Sequence, residues 1–442
     1  MRHGRESSVL KDQAGNSELM RHVQANSFGY FVHEVNRANG LVLDKTEEDW
    51  PSSIAAVGMA LSAYPVGVYR HFMARDEAVE RTLTTLRFFA ASEQSSAVDA
   101  TGYKGFYYHF LHMGSGKRAW QSELSSVDTA IFIAGALAAA AYFDAASEDE
   151  AEIRSLAKML YERVEWDWML QGQKTLCHGW RPEPEAGFIK YRWQGYDEAL
   201  ILYLLALGSP THGIGAECYA AWCTTYEWKT VYGIDYLYAG PLFIHQLSHV
   251  WVDFRGIRDV FMSDKGSDYF ENSRRATQIQ QQHGMRNPLG LAHVGELCWG
   301  VTASDGPGPA VKKIAGVERV FFDYLARGVP DGPDDGTLAP WAVVASLPFA
   351  PEIVLPTVLN FRRLSVQVAN PYGFKASINP MFAGASDDGV GWVSKFHFGI
   401  NEGPTVLMIE NHRSGLVWAL MRTCPPLVAG LRAAGFSGGW LD

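Results

Sequence analysis

The sequence predicts an all-α protein, built from antiparallel helix pairs arranged in a ring. Three observations point there. Apolar residues recur at helical rather than alternating spacing along most of the 442 residues. The candidate helices are of similar length, and long connections rich in Gly, Trp and Tyr separate them. No stretch reads as a linker between separable domains, so one large unit fits better than two or three independent ones. A ring gathers alternate loops at one end, around a central cleft. That accounts for conspicuous polar and aromatic residues lying between helices or at their ends. There is no strict sequence repeat, so the ring is inferred from the number of elements.

Taken in order, the periodicity predicts helices over 16–38, 51–61, 66–72, 75–91, 126–144, 148–165, 197–206, 214–226, 241–251 and 269–283. Further ones follow over 311–327, 341–345, 351–360 and part of 400–418. Pro51 suits a first helical position, where a missing N–H costs nothing. Ser125 followed by Asp128 resembles a capping box. Gly208-Ser-Pro210 and Asn287-Pro288 read as helix stops. Val329-Pro-Asp-Gly-Pro-Asp-Asp-Gly336 is a loop by its turn chemistry; it lacks the alternating ligands and distal Glu of a calcium loop.

Composition narrows the function. The chain is 47% hydrophobic and 19% charged, as ordinary globular proteins are. A net charge of −10 argues against nucleic acid as a partner and suits a neutral substrate. Five scattered cysteines form no C-x-x-C pair, which disfavours zinc fingers and redox motifs. No apolar run reaches the ~20 residues that a membrane span needs. The start shows no secretory h-region, so the expected compartment is cytoplasmic, or periplasmic or secreted if a signal was removed. There is no G-x-S-x-G, P-loop or dinucleotide fingerprint, and no cofactor is expected.

The acids carry the chemistry. Asp197 and Glu198 stand at the mouth of an apolar helix, directly behind Trp193 and Tyr196. Apolar neighbours would raise the pKa of Glu198 and keep it protonated as a general acid. First-turn acids favoured by the helix dipole are the plainer explanation. A second cluster, Trp120-Gln-Ser-Glu-Leu-Ser-Ser-Val-Asp128, offers Glu123 and Asp128, although Asp128 also completes the cap with Ser125. Two carboxyl groups from different segments are what glycoside hydrolysis needs: one protonates the leaving oxygen, the other acts as base or nucleophile. His245, His249 and Asp253 fall at i+4 spacing, which could bind zinc but lacks the glutamate of metalloproteases. A polar face for sugar hydroxyls fits them better, and no metal is expected. Glu271 pairs with Arg274 and Arg275 as support for a cleft wall. Fourteen tryptophans and nineteen tyrosines suit a glycan cleft, because sugar C–H faces pack on aromatic rings; they also suit a large aromatic core.

Several blocks together resemble a known family. They are Gly105-Phe-Tyr-Tyr-His-Phe-Leu111, Arg118-Ala-Trp-Gln-Ser-Glu-Leu-Ser-Ser-Val-Asp-Thr-Ala130, 193–210, 245–255, 269–277, Trp299-Gly-Val-Thr-Ala-Ser-Asp-Gly-Pro307 and Gly399-Ile-Asn-Glu-Gly-Pro404 with its continuation to Asn411. The chain resembles the bacterial glycoamylase-like domain over about residues 26–421. That group includes the β-1,2-glucanases of glycoside hydrolase family 144. It is also similar to the transglycosylation domain of cyclic β-1,2-glucan synthases.

The resemblance implies an (α/α)6 toroid in a single domain, residues 1–442, with 1–25 as an N-terminal extension. It implies action on β-1,2-glucan or sophoro-oligosaccharides. Glu198 matches the family's Gly-Tyr-x-Glu-Ala segment and becomes the acid, acting directly or through a substrate hydroxyl or water. Asp128 matches an acid at the family's x-Thr-Ala helix start. Where the endo-glucanases carry another Asp, three residues before that acid, this chain has Ser125. Its Glu123 block looks more like the synthase domains, so Glu123 and Asp128 both stand as base or nucleophile. Asn401-Glu402-Gly-Pro404 departs from the usual Asp/Asn-Gln-Gly-Pro. Arg192, Trp193, Tyr196, His245, His249, Asp253, Arg274 and Trp299 are the expected sugar contacts. Anomer-retaining transglycosylation and non-catalytic glycan binding are the alternatives, and the oligomeric state is open.

Overall fold

Apolar residues on every side of a helix force it inside, and the chain sorts its helices by that rule. A computed structural model of the protein describes residues 2–364, 371–382 and 391–442, with side chains from Gly15 onward. The helices are α1 (Arg2–His33), α2 (Ile54–Tyr69), α3 (Arg75–Ala91), α4 (Ser126–Tyr142), α5 (Glu148–Glu162), α6 (Leu200–Gly208), α7 (Ala216–Cys223), α8 (Val260–Asp264), α9 (Tyr269–Arg286), α10 (Pro340–Ala345), α11 (Pro351–Arg363), α12 (Gly399–Arg413), α13 (Leu416–Arg422) and α14 (Pro425–Ala433).

Residues of α2, α4, α6, α10 and α12 are buried almost throughout. These helices are neighbours in the order α6, α4, α2, α12, α10. Two 3-10 turns, Leu242–His245 and Leu247–Val250, lie between the ends of that series. Ser248 Oγ accepts from the Ile201 amide of α6 at 3.1 Å, and Gln246 Nε2 donates to the Ala342 carbonyl of α10 at 2.6 Å. One-sided helices cover the outside: α1 on α12, α3 and α5 on α2 and α4, α11 on α10, and α14 on α6. In α5 the apolar stripe is Ile153, Ala157, Leu160 and Tyr161. Short two- and three-stranded pieces occupy the connections.

α2 and α4 touch backbone to backbone. A Cβ on Gly135 would sit 2.0 Å from the Gly58 carbonyl oxygen, and one on Gly58 would sit 2.4 Å from that of Ile131. Only glycine permits this approach.

The structure adds α8 and α14, for which the spacing predicts no helix, and departs from the periodicity most at four segments. The expected 51–61 and 66–72 helices are one, with Pro65 inside it, and Pro51 lies outside, before a strand pair between 52–53 and 110–111. The expected 16–38 helix stops at His33, after which Val35 bridges back to Val42. Segment 241–251 forms the two 3-10 turns rather than an α-helix. Segment 311–327 is no helix: Ala310–Ile314 and Val317–Phe321 form an antiparallel hairpin. Its apolar residues at 311, 314, 317 and 320 mimic helical spacing. Ala315 and Gly316 both take positive φ (50° and 85°), which suits a two-residue hairpin turn, and β-branched Val and Ile fill the strands. The cap at Ser125 and the stops at Gly208 and Asn287 are as expected.

Candidate active site

A cleft of about 580 Å³ opens where the first turns of α2, α4, α10 and α12 converge with the residues just before α6. Glu123, Asp128, Trp193 and Glu198 all line it. The two acid clusters, 70 residues apart in the chain, therefore meet in one cavity.

Local structure aims each acid. Asp197 turns back to accept the Ala199 amide at 3.0 Å, closing the start of α6, and leaves Glu198 to face the cleft. Burial pushes the Glu198 carboxyl up to about 7, and the charge of nearby Asp128 adds to the rise. It thus holds its proton near neutrality. Asp128 sits in the first turn of α4, where Ser125 Oγ accepts its amide at 3.2 Å and donates to its carboxylate. The capping role and the cleft position belong to the same residue.

Glu123 and Asp128 share one cation. His109 Nδ1 lies 3.1 Å from Glu123, and its Nε2 lies 3.7 Å from Asp128. Burial works against the imidazolium, but Asp128 and the hydrogen-bonded Glu123 outweigh it and raise His109 to about 9. Burial likewise works against the Glu123 anion, yet His109, with Arg181 at 3.7 Å, brings it down to about 2. The cleft therefore presents an anion at 123 and a proton donor at 198.

Because Glu123 titrates lower in the folded state, its contribution to stability is complete above the ordinary carboxylate range and is lost as pH falls toward about 2. His109, raised in the folded state, contributes fully below about 6.5 and loses its share as pH climbs through about 9. His109→Gln should flatten that alkaline decline in melting temperature. It should also move the acid limb of activity to higher pH, because Glu123 loses its cation. Melting and rate profiles between pH 4 and 10 check both; profiles matching wild type would refute the pairing.

The remaining expected contacts are distributed differently. Trp193 lines the cleft, stacked on His178 at 3.8 Å with its indole N–H donated to Ser126 Oγ at 3.0 Å. Tyr196 is buried behind it, against Tyr226, His245 and Tyr269. Arg192 donates to the Leu170 and Thr175 carbonyls and pins that loop. His245 faces the Ala239 carbonyl and His249 faces Ser273 Oγ; burial lowers them to about 4 and about 3. Asp253 is held by Arg255 at 2.7 Å and by Arg422. These three residues share no helix face, since 241–251 is not an α-helix. Arg274 lies at the surface near Glu271 and Glu352, and Trp299 is buried with its N–H on Thr357. None of these seven lines the cleft. Glu402 also turns away from it, onto His397 at 2.8 Å.

Sequence reasoning missed Asp44, His109, Asp305, Asp323 and Tyr324, all in the lining. His109 lay inside the quoted 105–111 block without a role. Asp44 has no periodic context, and its half-buried carboxylate accepts the Trp50 N–H at 3.0 Å. Tyr324 follows the 310–321 hairpin, where the spacing predicts a helix.

The family model described as "Putative glucoamylase" matches residues 190–425, more than half of the chain, including Glu198 and Tyr324. The chain belongs to the Glycoamylase family. It is similar to an exo β-1,2-glucooligosaccharide sophorohydrolase (non-reducing end) of Parabacteroides distasonis, with 27% identity over 94% of this chain and 57% of the relative. The chain thus spans little more than half of that curated relative's length. Among solved structures, a protein of Bacteroides uniformis ATCC 8492 carrying the family's own description is 29% identical. It matches over 97% of this chain and 99% of its own, with a TM-score of 0.84. An endo-β-1,2-glucanase from Chitinophaga pinensis, solved with sophorotriose and glucose, is 25% identical over 96% of this family member and 99% of its own chain, also with a TM-score of 0.84.

Proposed function

We propose that the protein is a glycoside hydrolase that cleaves β-1,2-glucan or sophoro-oligosaccharides. The observation that carries this reading is the opposition, in one cleft, of a carboxyl that keeps its proton to about pH 7 and a carboxylate ionised down to about pH 2. Such a pair divides acid from base. The names of the relatives supply the substrate class.

Glu198 donates a proton to the leaving glycosidic oxygen, directly or through a substrate hydroxyl or water. Glu123 or Asp128 is the second carboxylate, each steadied by His109. As the bond breaks, positive charge develops on the sugar ring, and the anionic side of the cleft stabilises it. The neutral glucan suits a lining of Trp193, Trp50 and Tyr324, with acids placed to accept hydroxyl hydrogen bonds.

The fold we propose is an (α/α)6 toroid in one domain. The five inner helices and the 242–250 turns make six inner positions, and the hydrogen bonds of Ser248 and Gln246 link the two ends of the series. The first turns of four inner helices, and the residues leading into α6, gather at the cleft, as parallel inner helices require.

Proton NMR of a fresh digest of linear β-1,2-glucan tests the reaction. Initial α-anomer is expected if a carboxylate activates water; initial β-anomer would place the protein with retaining transglycosylases and make Glu123 the nucleophile. No product from any β-1,2-glucan would refute the proposal.

A further inference from the structure

Trp120 has no place in the reading above. It lies outside the cavity, and its side chain is large and apolar, yet the residue is 53% exposed. A tryptophan serving only the core would be covered. Its ring meets Trp50 edge to face with centroids 4.5 Å apart, and meets Phe110 at 5.1 Å. Both of those neighbours line the cavity, so the aromatic wall continues from inside the cleft onto the surface at Trp120.

The backbone holds the indole there under constraint. Trp120 and Gln121 both adopt left-handed φ, 54° and 53°, without glycine at either position. Two such residues in succession persist only where the surroundings impose them. Here the turn is braced on both sides. The Ala119 amide bonds the Phe110 carbonyl at 2.9 Å, and the Ser122 amide bonds the Ala119 carbonyl at 3.0 Å. Arg118 Nε donates to the Ser122 carbonyl at 2.5 Å while its guanidinium is held by Glu183 at 2.6 Å. The turn leads directly into Glu123, so the same brace sets a cleft carboxylate and an exposed indole.

We propose that Trp120 is a platform for one further glucose ring of a longer β-linked glucan, forming a subsite outside the cavity that favours long chains over short ones. This rests on the cleft being a glucan site. The C–H face of a glucose ring packs on the indole, and a neutral ligand requires no charge partner there. Chains long enough to project from the cleft gain this contact; the shortest cleavable chain does not.

The test is kcat/KM for linear β-1,2-gluco-oligosaccharides of increasing length, with wild type, Trp120→Phe and Trp120→Ala. Wild type should gain with length. Trp120→Ala should lose about tenfold on the longest chains, mainly through KM, and little on the shortest, while Trp120→Phe keeps most of the gain. An equal loss at every length, or none, overturns the subsite while leaving the hydrolase reading intact. So does a variant that changes only the sedimentation of the protein, which would give the indole to a contact between copies. A wild type that cleaves no chain of any length refutes the functional reading, and this one with it.

Discussion

Glu198→Gln should lower kcat by about 10²–10⁴-fold while the protein stays folded, since glutamine has no proton to give. The wild-type rate should fall as pH rises through about 7, where Glu198 ionises, and the residual rate of the variant should lack that limb. Stability makes the assignment sharper. A carboxyl raised in the folded state contributes stability that is complete below the ordinary carboxylate range and is lost as pH climbs through about 7. Above pH 7 wild type carries a buried charge that the variant does not. Glu198→Gln should therefore melt at a higher temperature than wild type at pH 8, and the difference should shrink at pH 5. A variant that keeps more than a tenth of wild-type kcat, or that melts lower at pH 8, would sink the role given to Glu198.

The second large effect is on folding. Arg327 and Asp335 are fully buried, joined at 2.8 and 3.0 Å. Arg327 also donates to the carbonyls of Ser304, Phe322 and Asp323, and Asp335 accepts the Phe322 amide at 2.9 Å. Burial works against the Asp335 anion, but Arg327 outweighs it and holds the carboxyl below its ordinary range. Removing one partner strands the other charge, which costs about 3–5 kcal/mol. Asp335→Asn and Arg327→Met should each lose that much in urea unfolding, and Arg327→Met combined with Asp335→Leu should cost less than the two losses summed, because no charge is stranded even though the backbone partners are. The loss should reach the cleft as well, because the same ties hold Asp305, Asp323 and Tyr324 at its edge. A single-variant cost under about 1 kcal/mol would refute the pair's importance.

How much of this was legible in the residues depends on distance along the chain. The α4 cap was readable because Ser125 and Asp128 are three apart. The apolar run that buries α6 was readable too, and so was the acid at its mouth. That Glu123 and Glu198 line one cleft has no local signature across 75 residues; it follows only from the two carboxyl groups that glycoside hydrolysis needs, and from the family resemblance. His245, His249 and Asp253 misled through their spacing: i+4 implies a shared face only in an α-helix, and the segment forms 3-10 turns. The 311–327 hairpin misled for the opposite reason, its valines and isoleucine repeating every three residues by chance of composition. Asp44 and His109 gave no local sign, because a polar side chain in an irregular loop acquires its meaning from what packs around it.

The contact between Gly58 and Gly135 leaves no slack between the two helices whose first turns carry Ala55 and Asp128 to the cleft. Substitutions that enlarge either glycine would therefore force α2 and α4 apart, whereas the exposed tip of the 310–321 hairpin can change without disturbing that seam. Asp128, carried by α4, is thereby held at a fixed depth against α2. The seam works as a jig: one wall of the cleft is located by two absent side chains.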